Sequence, residues 1–355
     1  METFRKSLNN RFQGVDRPAK SEKREAKMQR SLILGATGFI GGNLVRSLVA
    51  RGEFPRIFIR TTSSLSFLED ILDRIEIVYG DFHDNAALCR ATKGIDVIYH
   101  LISTTYPSSI LATSYDDVVS DFSSTVRLVE NSLANGVKKI VYASSGGTIY
   151  GEPKITPIPE YHPLLPKSVY GQSKLSIENY LNFHARLMTL DINILRISNP
   201  FGPGQNPAKA QGIIAVALNC AYSSRVLKLY GNGEAIRDYL YIDDVSEALI
   251  LVAQNPGSSI VNISSGMGYS VRDIVETIEE VSGRIILKEF IPARSSDVSV
   301  SILSNQRAFE IYGWTPKVSF KEGLFRFDQV MREKMCLTPI VNGLYENKMR
   351  LLEAC

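Results

Sequence analysis

Few residues in this chain can carry thiol, imidazole or metal chemistry. Its 355 residues hold four cysteines, Cys89, Cys220, Cys336 and Cys355, and no two stand in CxxC spacing. Scattered thiols suit a reducing compartment and exclude a disulfide framework, so a cytoplasmic location is expected. Four histidines without ligand-like spacing give no metal site. No apolar run approaches the roughly 18–20 residues that a bilayer span requires, and the N-terminus lacks the apolar core of a signal peptide. Acids are scarce near the start. Residues 1–30 carry nine Lys/Arg against four Asp/Glu, so +5 sits there, −2 in the remainder and +3 on the whole chain. This basic leader (1–29) has little to bury and reads as a disordered extension of a domain that would start well at Met28, not as a nucleic-acid-binding arm.

What is present is periodicity. Short β-branched runs at Ser31–Leu34, Arg56–Arg60, Ile75–Tyr79, Asp96–Leu101, Lys138–Ala143 and Ile192–Ile197 alternate with helix-like stretches such as Phe39–Arg51, Asp117–Asn135 and Val169–Leu190. Continuous apolar strands alternating with helices predict an α/β fold, a doubly wound parallel sheet covered on both faces. This Rossmann-type domain is expected over 30–198. After Asn199 the texture changes, with Pro200, Gly202, Pro203, Gly204 and Pro207 opening a loop. A smaller mixed α/β lobe is expected over 199–335, closing on the sheet's carboxyl edge, where ligands bind in such folds. Residues from about 240 to 263 are free to rejoin the sheet, and 336–355 form a tail.

The first strand runs into Gly35-Ala36-Thr37-Gly38-Phe39-Ile40-Gly41-Gly42 and then a helix. A diphosphate needs a tight turn, a side-chain-free approach to the backbone, and a helix N-terminus with free N–H groups. Gly35, Gly38 and Gly41 stand where those needs arise, in a strand–turn–helix context. An acid about 20 residues further on would hold a ribose 2′-hydroxyl and select NAD. Here the stretch is Arg60-Thr61-Thr62-Ser63, which suits a 2′-phosphate or simple stacking on adenine, so NAD and NADP both stay open.

Tyr170 and Lys174 are four residues apart in YGQSK and share one helical face. A phenol of pKa about 10 is a poor base at neutral pH. A nearby ammonium and a positive nicotinamide favour the phenolate, giving a base for a substrate hydroxyl. A third hydroxyl should follow the fifth strand, in Ala143-Ser144-Ser145-Gly146-Gly147-Thr148-Ile149-Tyr150-Gly151.

The GxxGxxG spacing, the YxxxK pair and the SSGGTIYG stretch together resemble the extended short-chain dehydrogenases, in particular the NAD-dependent epimerase/dehydratase proteins of the UDP-glucose 4-epimerase type, including those associated with surface-polysaccharide synthesis. The resemblance covers residues 31 to about 330. It implies that the cofactor lies against Gly35, Thr37, Gly38, Phe39, Ile40 and Gly41, with Arg60 beside it. Asp81 and Phe82 of YGDF meet the adenine end, Leu101 and Ser103 follow the fourth strand, and Tyr170 and Lys174 reach the nicotinamide side. The family's usual catalytic Ser or Thr aligns with Gly146, so Ser145, or after it Thr148, has to supply the hydroxyl. Dehydrating members carry an Asp-Glu pair, and decarboxylating ones a Glu, where this chain has Gly147-Thr148. Elimination is therefore disfavoured.

The resemblance also implies a substrate site. Asn199 of SNPFGPG, Arg237 of RDYLYIDDV and Arg294 of PARSSD would hold the diphosphate of a nucleotide-sugar, and guanidinium geometry suits that task. Asp297 would take a ribose hydroxyl. Ser301 stands where a bulky tyrosine restricts some 4-epimerases to plain hexoses, so a 2-acetamido sugar is expected to fit. The implied reaction begins with proton removal from the C4 hydroxyl by Tyr170. Hydride passes to the nicotinamide, the 4-keto sugar turns, and hydride returns to its other face. Rival readings are a one-way NADPH-dependent 4-keto reductase and a non-enzymatic NAD(P)-sensing regulator. A homodimer through two exposed helices, one bearing Tyr170, is expected.

Overall fold

The computed structural model describes residues 29–104, 115–187, 190–207, 212–292 and 298–334. The basic leader up to Met28, Arg294, Asp297 and the tail 336–355 lie outside the described residues.

Seven strands form one parallel sheet: β1 (Ser31–Leu34), β2 (Arg56–Ile59), β3 (Glu76–Tyr79), β4 (Val97–His100), β5 (Lys139–Ser145), β6 (Asp191–Ile197) and β10 (Ser259–Ile263), in the order β3-β2-β1-β4-β5-β6-β10. Successive side chains point to opposite faces of a strand, and each strand feeds two cores. Ile33, Val141 and Ala143 join the core under α1 (Phe39–Ala50) and α7 (Ile242–Gln254). Leu32, Leu34, Ile140 and Tyr142 join the other, under α2 (Asn85–Thr92), α3 (Tyr115–Ala134) and α5 (Val169–Arg186). Apolar residues on both faces are why these runs lack polar alternation. The fifth strand is longer than its apolar run suggests: it continues through Ser144 to Ser145, which pairs with Ile197. The one-turn helix α4 (Gly146–Ile149) follows at once.

The remaining elements build the lobe. Strand β9 (Ile236–Tyr241) is its axis, flanked by β7 (Asn199–Phe201), β11 (Gly268–Ser270) and β13 (Val300–Ser301). A second pair joins β8 (Leu227–Tyr230) to β12 (Lys288–Ile291). Helix α6 (Ile213–Ser223) and helix α8 (Val271–Ser282) cover these strands, and α9 (Gln306–Tyr312) and α10 (Phe320–Lys334) follow. Ser270 and Asp273 close a capping box that starts α8. The lobe's apolar residues, among them Phe201, Leu218, Leu240 and Ile274, belong to the same core as the α1 face of the sheet. Among the described residues no helix is long and apolar enough to cross a membrane.

Candidate active site

The turn after β1 needs its glycines. Gly35 has φ +90°, and a Cβ there would lie 3.0 Å from the Leu101 carbonyl carbon, just after β4. A Cβ on Gly41 would come within 2.1 Å of the Gly35 carbonyl oxygen, a distance no side chain tolerates. These contacts let α1 start immediately beside the strand end. Gly38 caps the helix without a side-chain bond. The first N–H groups of α1, at Phe39 and Ile40, have no partner within their own helix and form an anion cradle. The residues present therefore fit a dinucleotide diphosphate.

Around the cradle, Leu101 is half-buried and donates its N–H to Leu34 (3.0 Å). Thr37 is exposed in the turn itself, and Ser103 lies two residues beyond Leu101 on the same edge. Arg60, at the end of β2, is exposed. Asp81 is exposed just past β3, and its carboxylate accepts the His83 N–H (2.8 Å). The Phe82 ring is buried and packs on His100, with centroids 5.3 Å apart. It belongs to the core, so any contact it makes with a cofactor is through its backbone.

Ser168 caps α5 by accepting the Gly171 N–H (3.1 Å), which sets Tyr170 in the first turn and Lys174 one turn on. Both face the end of β5. Lys174 is 4% exposed. Its Nζ donates to the Ala143 carbonyl (3.0 Å) and lies 4.8 Å over the Tyr142 ring and 5.9 Å from the Tyr170 ring centroid. Burial pulls this ammonium down to about 8, against the raising fields of Asp121 and Glu178. Burial pushes the Tyr170 phenol up to about 12, against a hydrogen bond with Ser145 that lowers it. The lysine alone thus does not make the phenol a ready base in this fold. The positive charge of an oxidised nicotinamide is the further influence that could do so.

Ser145 ends β5, half-buried, and its side chain makes no cap bond to the turn it precedes. The hydroxyl is thereby left to Tyr170. Thr148 instead points back, donating to the Ser145 carbonyl at 3.4 Å. Two features of this arrangement escape the sequence reading. Gly171 is one: a Cβ there would stand 2.6 Å from the Thr148 carbonyl oxygen and 2.9 Å from the Pro166 side chain. Its place directly after Tyr170 was the available signal. Asp121, buried on α3 close to Lys174, is the other, and its polar neighbourhood in the sequence hides it.

The sequence of residues 31–264 matches the model of the NAD dependent epimerase/dehydratase family. The chain belongs to that family. It is an NAD-dependent enzyme of the extended short-chain dehydrogenase type. UDP-glucose 4-epimerase of Mycolicibacterium smegmatis is 33% identical over 312 residues, 86% of this chain and 99% of that protein. dTDP-4-dehydro-6-deoxyglucose reductase of Escherichia coli is 29% identical over 319 residues, 88% of this chain and 99% of its own length. The crystal structure of UDP-glucose 4-epimerase from Thermotoga maritima with UDP-glucose matches with a TM-score of 0.81 at 30% identity, over 86% of this chain and 99% of that one.

Within this epimerase/dehydratase frame the departure at Gly146 has a physical reason. A Cβ on Gly146 would meet the Leu303 Cδ1 at 2.3 Å and the Arg196 carbonyl at 3.0 Å. Leu303, fully buried with Ile149, Tyr150 and Ile158, fills the place of the side chain expected there. On the lobe side, β9 gathers the substrate candidates. Asn199 pairs with Tyr239, and Ser301 pairs with Arg237. Asn199 and Arg237 line a cavity of about 270 Å³ with Phe201, Leu229, Tyr230 and Tyr239. The Asn199 amide donates to the Asp238 carbonyl (2.8 Å). Ser301 is 3% exposed and does not itself line that cavity.

Proposed function

We propose that this chain is a nucleotide-sugar 4-epimerase acting on a UDP-hexose or UDP-N-acetylhexosamine. One observation carries the reading: Tyr170, Ser145 and Lys174 converge at the carboxyl end of β5, beside a glycine cradle, with no carboxyl at Gly147 or Thr148. Gly35, Gly38, Gly41 and the first turn of α1 would hold the NAD diphosphate, with Asp81 and Arg60 toward the adenosine and Lys174 toward the nicotinamide ribose. When bound, the dinucleotide supplies a reversible hydride acceptor. Tyr170 takes the proton of the C4 hydroxyl, Ser145 hydrogen-bonds the same oxygen as it becomes a carbonyl, and Lys174 supplies the positive charge that favours the phenolate. The buried floor holds these groups in register with the sugar and contributes the orientation effect. On the lobe side, Asn199 and Arg237 take the nucleoside diphosphate in the cavity of about 270 Å³ that they line, and the family resemblance adds Arg294 and Asp297 to that role. That part of the assignment rests on the family match and on the mixed apolar and cationic lining.

The similarity to the Mycolicibacterium and Thermotoga epimerases supports the same chemistry. The test is proton NMR of the purified protein with UDP- and GDP-sugars and no added cofactor. Interconversion of C4 epimers is expected; no turnover without added NADPH overturns the reading. Comparable kcat/KM on UDP-glucose and UDP-N-acetylglucosamine is expected from Ser301, and strong rejection of the acetamido sugar would refute that assignment. The second reading, a 4-keto reductase, is favoured by exposed Arg60 with no acid beside it and by the similarity to the E. coli reductase. It predicts stoichiometric NADPH consumption.

We further take 30–198 with the returning α7 and β10 as the cofactor domain and the rest of 199–335 as the substrate lobe. Exposed Val169 and Phe183 on α5, Leu187 at its C-terminal cap, and Val119 and Leu133 on α3 support a homodimer through those two helices. Sedimentation equilibrium at a monomer's mass would exclude it. The free thiols Cys89 and Cys220 fit a reducing, cytoplasmic setting.

A further inference from the structure

Behind the Tyr170–Lys174 pair lies a carboxylate that the reaction described above does not use. Asp121 sits on α3, 3% exposed. One of its oxygens accepts the Thr104 N–H (2.9 Å), while the other is buried without a hydrogen-bond partner. A buried carboxylate oxygen left unpaired is costly, and such a group calls for a reason.

Its surroundings supply one. Four residues along α3, Thr125 donates its hydroxyl to the Asp121 carbonyl (2.8 Å) and meets the His100 ring at Nε2 (3.0 Å). His100 lies against Tyr142, with ring centroids 5.2 Å apart, and the Lys174 Nζ lies over that same Tyr142 ring. The neighbouring Phe122 packs edge-on against Tyr180 of α5. Asp121 is thereby fixed in the wall around Lys174, and its charge is felt at Tyr142, Tyr170 and Lys174.

Among the described residues, the ionisable groups facing Lys174 are His100 from β4, Tyr142 from β5, Asp121 from α3, and Tyr170 and Glu178 from α5. Two of them are carboxylates. Glu178 is committed elsewhere: the Arg196 guanidinium of β6 donates to both its oxygens, at 2.8 and 3.3 Å. Even so paired, Glu178 still raises Lys174, with a smaller weight than Asp121. Asp121 has no cationic partner in contact among the described residues, and it is the larger of the two carboxylate influences that raise Lys174. His100 is no substitute, since burial holds it neutral, down to about 3.

We propose that Asp121 is a positioning residue, the counter-charge that keeps Lys174 an ammonium inside the protein and so fixes the pH range over which Tyr170 works. This rests on the reading of Tyr170 and Lys174 as the reacting pair. The sign is fixed by electrostatics. Removing a negative charge disfavours the protonated form of every neighbour, so both limbs of the pH profile move to lower pH, the Lys174 limb included.

The decisive variant is Asp121→Asn, which keeps the shape and an acceptor for the Thr104 N–H. Selective ¹³C labelling at lysine Cε, with the Lys174 signal assigned by its loss in Lys174→Arg, follows the titration without substrate or cofactor. In the parent protein the midpoint is expected at about 8, and Asp121→Asn is expected to lower it by about one pH unit. The basic limb of kcat/KM should move down with it. Asp121→Ser, smaller and equally uncharged, must shift the midpoint in the same direction. An unchanged Lys174 midpoint in folded Asp121→Asn or Asp121→Ser overturns the proposal. A parent protein that epimerises no sugar overturns the reaction assigned to the pair instead, and leaves the titration standing.

Discussion

At Tyr170 burial opposes ionisation, and the Ser145 hydrogen bond offsets it only in part, leaving the phenol at about 12. The pair should therefore show its base only with the oxidised cofactor in place. Tyr170→Phe is expected to lower kcat by about 10²–10⁴-fold, the usual worth of a positioned proton-transfer group, while equilibrium dialysis finds NAD binding nearly unchanged. Ser145→Ala should cost about 10²-fold in kcat, as loss of one donor to a developing oxyanion does. An activity equal to the parent's would move the role to Thr148. His100 gives a stability prediction. Its unfolded value is 6.5 and burial holds the folded one near 3. Between these the unfolded chain binds more protons, so stability falls as pH drops through that window, by about 1.4 kcal/mol per pH unit. His100→Asn removes this contribution, and denaturant melts from pH 6.5 to 3.5 should show a flatter decline than the parent's.

The element that matters most for catalysis is the joint between β5, α4 and α5. Gly171 lets the first turn of α5 press against Thr148. Gly171→Ala has to push that turn, and Tyr170 with it, away from Ser145. A loss of about 10²-fold in kcat is expected, as for displacements near 1 Å, with a small change in melting temperature; unchanged turnover would mean that α5 absorbs the methyl group elsewhere. At this scale the sequence was readable where periodicity was strong. The strand centres fall within their apolar runs, and α5 starts at Val169, where the helix-like stretch begins. The ends were harder. Ser144 and Ser145 continue β5 because their backbones pair with Arg196 and Ile197, which polar side chains before two glycines do not advertise. Helix α5 stops at Arg186, short of the apolar Leu190. Asp121 was invisible for a related reason. In Tyr-Asp-Asp-Val-Val-Ser-Asp it reads as one more solvated acid, and only the packing of α3 on His100 and α5 buries it.

At the scale of the whole molecule, one apolar core runs from the α1 face of the sheet into the lobe, joining Ile33 and Leu48 to Phe201, Leu240 and Ile274. Two sequence textures do not here make two independently folding bodies. Calorimetry should therefore find a single transition for the described region; two resolved transitions would contradict the continuity of that core. A change in composition after Asn199 was legible, but not the shared interior, because contacts between distant segments leave no local periodicity. The return of Ser259–Ile263 to the sheet beside β6 is the backbone's part in the same union.

Leu303 has a mechanical consequence. It reaches from the segment after β13 into the hollow at Gly146, and Ile158 joins it there by a backbone bridge. A jaw that swung about a hinge would have to uncork that hollow at every opening, exposing four fully packed apolar side chains to water. Admission and discharge of a bulky guest must therefore be local events at the rim, with the two halves of the molecule travelling together throughout.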